Sequence, residues 1–216
     1  AFGKRDGLSS DIVYPIVRAK SGDLLVGTDT GLVRSRDGRF ELVEGTADRT
    51  VRALVESSDG LWLGGVPGEL LHLDTKGRLE RFGPSEGLQA RAIMAIAADP
   101  DGGLWLGTDG AGLLRVEPGS PPRFVPEPLP EGLPHELVSD VRFDAQGLLW
   151  ASGERGLAVR TKEGWRRLGP ADGLRARGTT YLGLRRDGLC AAYYEALGAS
   201  CFRFDGKQLT DVQHFD

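Results

Sequence analysis

Nine residues carry the chemistry most worth following: Arg49, Arg91, His135, Glu136, Arg175, Arg177, Tyr193, Tyr194 and Glu195. Guanidinium groups grip carboxylates and phosphates as two-pronged donors, and tyrosine offers a flat face with a polar tip. Several Arg, a few carboxylates and two adjacent aromatics suit a small polar or anionic ligand, oligosaccharides included. The competing reading is ordinary solvated loop chemistry, because charged residues are what surface loops carry. Acid–base catalysis has thinner support. The chain holds 3 His, and only His135, beside Glu136, falls among the candidates; His72 and His214 fall elsewhere. No Gly-rich loop opens a helix in the manner of a phosphate cradle. The acids Asp6, Glu44, Glu86, Glu131 and Asp172 recur along the chain, each in its own copy of one pattern, so they do not converge on one ion. A repeated turn or capping hydrogen bond is the expectation there. Asp99-Pro100-Asp101-Gly102 resembles half of a calcium loop, lacks the distal acidic ligand, and reads as a hairpin turn. No cofactor and no metal are expected.

Positioning such residues falls to a repeat. Acid, Gly, then Leu or Thr occurs at Asp6-Gly7-Leu8, Glu44-Gly45-Thr46, Glu86-Gly87-Leu88, Glu131-Gly132-Leu133 and Asp172-Gly173-Leu174. After each come a short apolar run and a turn glycine: Gly22, Gly60, Gly102, Gly147 or Gly188. A second apolar run follows, as in Leu61-Trp62-Leu63-Gly64 and Leu104-Trp105-Leu106-Gly107, and two more complete the unit. Turns such as Asp59-Gly60 and Asp187-Gly188 supply the positive φ of tight hairpins. No long stretch has the 3.6-residue period of a helix. Each unit of about 40 residues therefore reads as four antiparallel strands, and their repetition as an all-β fold, a β-propeller of four-stranded antiparallel blades. The repeats fall at about 6–43, 44–85, 86–130, 131–171 and 172–216, with innermost strands near 13–19, 51–56, 93–98, 138–143 and 179–185. Trp62, Trp105 and Trp150 share one blade position and predict packing between blades, whereas Trp165 in an outermost strand predicts a more exposed ring. Two sets of loops share one face of such a fold. The loops entering the innermost strands hold Arg49, Arg91, His135, Glu136, Arg175 and Arg177. The turns between second and third strands hold Asp29, Asp109 and the longer fifth-repeat turn Tyr193-Tyr194-Glu195.

The stretches Gly22-Asp23-Leu24-Leu25-Val26-Gly27-Thr28-Asp29-Thr30-Gly31-Leu32, Asp59-Gly60-Leu61-Trp62-Leu63-Gly64 and Gly102-Gly103-Leu104-Trp105-Leu106-Gly107-Thr108-Asp109 resemble the two-component regulator propeller repeat. The fifth repeat departs from it, lacking both the Trp and the Gly-Thr. The resemblance implies a periplasmic or extracytoplasmic sensor propeller, standing upstream of a membrane anchor in histidine kinases and diguanylate cyclases, and sensing without catalysis. It also implies that the five repeats belong to a larger, usually seven-bladed ring. A structural or protein-interaction scaffold is the alternative, and a propeller lyase or hydrolase a further one. Expected partners are the ligand and other blades or a second copy of the chain.

Composition narrows the classes. Lys+Arg number 27 against 31 Asp+Glu, a net charge of −4, which argues against nucleic acid as the partner. No run of about 18 apolar residues is present, so no membrane span is expected within the chain, and no leader pattern opens it. The 2 Cys have a definite expected relation. Transferring the third repeat's hairpin centre to the fifth, and allowing for the longer turn, centres that hairpin at 195.5, and Cys190 and Cys201 are symmetric about this point. They should face each other across an antiparallel pair, close enough for a disulfide. The compartment implied by the resemblance would let that bond persist.

Overall fold

The computed structural model describes residues 3–99, 101–130, 136–194 and 198–216. Twenty strands form five four-stranded antiparallel sheets, each in sequence order. The first blade is β1 (Val13–Arg18), β2 (Leu24–Thr28), β3 (Gly31–Arg36) and β4 (Arg39–Leu42). The second is β5 (Thr50–Glu56), β6 (Gly60–Val66), β7 (Leu70–Asp74) and β8 (Leu79–Phe82). The third is β9 (Ala92–Ala98), β10 (Leu104–Asp109), β11 (Leu113–Glu117) and β12 (Arg123–Pro126). The fourth is β13 (Asp140–Phe143), β14 (Leu149–Gly153), β15 (Gly156–Thr161) and β16 (Gly164–Leu168). The fifth is β17 (Thr179–Arg185), β18 (Gly188–Tyr193), β19 (Ala199–Phe204) and β20 (Leu209–Phe215). The sequence placed these innermost strands to within a residue or two. β13 begins late because the Val138 amide donates to Thr108 O of the previous blade, at 2.9 Å, instead of joining its own sheet.

The repeated acid is a cap in the first, third and fifth repeats; Glu131 of the fourth lies outside the described residues. Three short 3-10 turns, Lys4–Asp6, Pro84–Glu86 and Pro170–Asp172, precede three of the blades. In each, the carboxylate accepts from the amide of the glycine three residues earlier: Gly3 to Asp6 at 2.9 Å, Gly83 to Glu86 at 2.7 Å, Gly169 to Asp172 at 2.9 Å. The next glycine closes the turn in the left-handed region, with φ of 92°, 91° and 101° at Gly7, Gly87 and Gly173. A side chain there would be strained, which is why the acid–Gly pair recurs. The following Leu8, Leu88 and Leu174 are buried, so each turn pins the entrance to a blade.

Apolar residues from facing sheets build one core per seam. Four clusters join blade one to two, two to three, three to four and four to five. Trp62, Trp105 and Trp150 lie in the last three seams and are buried. Each also finds a partner for its indole N–H: Asp59 at 3.2 Å, Asp99 at 3.3 Å and Asp144 at 2.8 Å, all at the preceding hairpin. Trp165 corrects an expectation. It is half-buried, packs on the seam between blades three and four, and donates to Glu127 Oε1 at 3.0 Å. No cluster joins the fifth blade to the first among the described residues; a fifth cluster of Leu8, Val26, Val33 and Phe40 stays on the first blade's own outer face. The five blades thus form an arc, with Ile16 of β1 and Tyr181 of β17, 64% and 66% exposed, beside its open side.

Cys190 and Cys201 are register partners on β18 and β19 and form a disulfide, with Cα atoms 3.9 Å apart. Among the described residues no helix is long and apolar enough to cross a membrane.

Candidate functional site

The innermost strands line an axial cavity of about 400 Å³, to which all five blades contribute. A shared device aims side chains into it. The pairing of first with second strand breaks register between Val13 and Ile16, Val51 and Ala53, and Thr179 and Leu182, and at Gly107/Thr108 opposite Ile93–Ala95. Such bulges re-aim the extra residue. Arg52 and Met94 are the residues passed over in their strands, and Tyr14 and Tyr181 fall within the breaks of theirs.

The charged groups are arranged unevenly. The Arg52 guanidinium lies over the Tyr14 ring, 4.8 Å from its centroid, and its buried Nε has no hydrogen-bond partner. Across the cavity Asp140 is 2% exposed and ties two blades together. Its Oδ2 accepts from the Leu182 amide of β17 at 2.9 Å, while Oδ1 accepts from the Val141 amide at 2.9 Å and Arg142 Nε at 3.1 Å. Burial pushes the Asp140 carboxyl above its usual range, against the opposing pull of the Arg142 charge and the two amides. Ser139 Oγ, at the rim, meets Tyr194 Oη at 2.5 Å. Burial raises the Tyr194 phenol, and the Ser139 bond opposes that rise. One carboxylate already engaged by Arg142, and one guanidinium with an unfilled donor, leave the cavity able to take an anionic or hydroxyl-rich group.

The loop candidates fare differently from one another. Arg49 is engaged by Glu69 in an ion pair, and Arg91 by Asp109, Nη2 to Oδ1 at 2.5 Å. Glu136 is exposed, and its carbonyl accepts from the Gly110 amide at 2.7 Å, bracing the turn that follows β10. Arg175 pairs with Asp216 at 2.5 Å, and Arg177 is exposed. Tyr193 is not on the loop surface. It is buried, its hydroxyl meets Ser200 Oγ at 2.5 Å and accepts from the Arg175 amide at 2.8 Å, and Ser200 in turn meets His214 Nδ1 at 2.6 Å. Tyr194 is the one that reaches a cavity-lining residue, Ser139. His135 and Glu195 lie outside the described residues. Arg52, Asp140, Arg142, Tyr14 and Tyr181 are absent from the sequence candidates. Asp140-Val141-Arg142 offered a signal, since charges two apart in an innermost strand share a face, but the bulge that turns Arg52 inward leaves no mark in the residue pattern.

Comparison with known proteins places this geometry. Residues 87–110 match the family described as two component regulator propeller, so the third blade carries a repeat of that type. Among solved structures, the chain is similar to an extracellular domain assigned to a hybrid two component system of B. thetaiotaomicron, with a TM-score of 0.78 and 23% identity, over 99% of this chain and 28% of that one. A second such domain from the same organism gives 0.72 and 19%, over 89% and 28%. Virginiamycin B lyase from Staphylococcus aureus gives 0.70 and 17%, over 94% and 69%. At these identities the likeness establishes the propeller fold. The chain spans 28% of the length of the two extracellular domains it matches. No curated protein matches it.

Proposed function

We propose that the chain is the sensing propeller of a bacterial extracytoplasmic receptor, of the histidine kinase or diguanylate cyclase type, with the catalytic output borne elsewhere. The repeat type over residues 87–110 and the fold shared with extracellular signalling domains support that placement. Sensing here means holding a small polar or anionic ligand, of the acidic-sugar or carboxylate class, at the axial cavity. The observation that carries the ligand reading is Arg52, which lines the cavity and whose buried Nε has no hydrogen-bond partner. A buried donor left empty costs free energy that a ligand oxygen recovers. Tyr14 and Tyr181 supply flat, polar-tipped surface around it. Further blades fill the open side of the arc and complete the ring.

A melting-temperature screen against neutral and acidic oligosaccharides and small dicarboxylates tests the reading. The expected result is a rise of about 5 °C or more with an acidic member at saturation, without its turnover and lost in Arg52→Ala. A structural or protein-interaction scaffold is the second reading. It is favoured by the exposed apolar residues Ile12, Ile16, Tyr181 and Leu184 of the end blades, and it predicts no ligand response at all.

A further inference from the structure

The three seams that hold a tryptophan treat it differently. Between blades three and four, Arg160 of β15 lays its guanidinium over the Trp105 ring, 5.3 Å from the centroid, and pairs with Glu127 at 3.4 Å. Between blades four and five, Phe202 and Phe204 pack on Trp150, with centroids 5.8 and 5.5 Å away. Register fixes the equivalent positions. Arg160 pairs with Leu149, Phe202 with Leu189 and Val116 with Leu104, the residue just before each second-strand Trp or its counterpart. The third blade therefore presents Val116 to Trp62 where the fourth presents Arg160 to Trp105.

An open cleft of about 550 Å³ lies where that guanidinium is missing. Val116, Trp62 and Phe82 are among its walls, and Asp59, Glu80 and Asp99 give it three carboxylates, with no Lys or Arg in the lining among the described residues. His72 also lines it, stacked on Trp62 at 4.0 Å and 8°. This histidine is 9% exposed, and its buried Nε2 has no hydrogen-bond partner, the Asp59 carboxylate standing 3.5 Å away. Glu80 stands 3.8 Å from Nδ1. A cation entering here would meet the exposed Asp59 and Glu80 carboxylates against the wall formed by His72 and Trp62.

We propose that the cleft between blades two and three binds an organic cation of the guanidinium or alkylammonium class, external to the fold, in the place that Arg160 fills in the next seam. The site is separate from the axial cavity: it lies by the hairpins after β5 and β9, and the two share no lining residue. A free small molecule and a Lys or Arg side chain of a peptide present the same chemistry.

Titration calorimetry of the full chain with agmatine, which carries both groups, tests the proposal, with an arginine-containing tripeptide and its citrulline counterpart as the second arm. Saturable binding of agmatine is expected, weakened about tenfold or more in Asp59→Asn/Glu80→Gln, where charge-assisted bonds become neutral ones. Val116→Arg, which supplies the guanidinium from within, is expected to abolish binding. Arg52→Ala, at the axial cavity, is expected to leave it intact, which keeps this proposal separable from the sensing one. Binding of the arginine tripeptide alone would assign the site to a side chain, and binding of agmatine alone to a free amine. The absence of saturable binding in both arms, or binding unchanged in Asp59→Asn/Glu80→Gln, overturns the proposal.

Discussion

The axial cavity is lined by a guanidinium whose buried Nε lacks a hydrogen-bond partner; the cleft between blades two and three is lined by carboxylates. Both are built on one repeat, and the two differ in how they escape it. The cavity is made by backbone: bulges near the starts of the first strands turn Arg52 and Met94 toward the axis. The cleft is made by side chains: regular strands keep Trp62 in its repeat position, and a single exchange, Val116 for the Arg160 of the next blade, leaves its ring without a cationic cover. A repeat protein can therefore acquire a site by altering register at the axis or residue type in a seam, and only the second is readable as a departure from the motif.

The comparison can be broken first at its carboxylates. Asp140 is buried and accepts an amide of the neighbouring blade, whereas the Asp59 side chain is 57% exposed. Asp140→Ala strands the Leu182 amide and releases Arg142, and should cost about 3 kcal/mol in denaturant unfolding. Asp59→Ala should cost well under about 1 kcal/mol. Equal costs would mean that Asp140 does not bridge the blades.

The fifth blade offers the next test. Cys190 stands at the position that Trp105 holds in the third blade, with Cys201 as its register partner. Bridging a short loop, the disulfide should contribute roughly 2–3 kcal/mol, so Cys190→Ser/Cys201→Ser is expected to lower the unfolding free energy by that much. Mass spectrometry of protein never exposed to reductant should show no alkylatable thiol; two alkylated cysteines would show that the pair does not close.

Acid should separate the two sites. Asp140 has its carboxyl raised by burial, so in the window between the ordinary carboxylate value and this raised one the folded chain holds more protons than the unfolded. Stability contributed through this group therefore grows as pH falls through that window. The same proton cancels the charge that engages Arg142, so affinity for an anionic axial ligand should rise by a few-fold, about three to ten. Asp59 moves the other way: burial raises its carboxyl, but hydrogen bonds led by those from Ser57 and Trp62 outweigh this and hold it low. It stays ionised until pH falls below the ordinary value. Anion affinity that is flat across the Asp140 window would remove Arg142 from the site.

Much of the fold was legible because its signals are local. The acid–Gly–Leu triplet encodes a turn whose cap is made within four residues, and the hairpin arithmetic that set Cys190 against Cys201 used only turn lengths. The site was less legible because it depends on register and on distant partners. Tyr193 and Tyr194 are neighbours of one type, yet the strand alternation that ends β18 sends the first into the core, to Ser200, and leaves the second to reach Ser139 of another blade. Arg49 and Arg91 are loop arginines as read, but nothing local announces that Glu69 and Asp109 engage them. Arg52 has the opposite fate, and only the bulge explains it.

The central claim rests on that residue, and titration calorimetry of the wild type and Arg52→Ala with the acidic oligosaccharide or dicarboxylate that shifts melting most tests it directly. The expected result is one-site binding in the wild type and a loss of about tenfold or more in the variant, with the unfolding midpoint of the ligand-free protein little changed. Undiminished affinity in Arg52→Ala would contradict the assignment of the axial cavity as the sensing site.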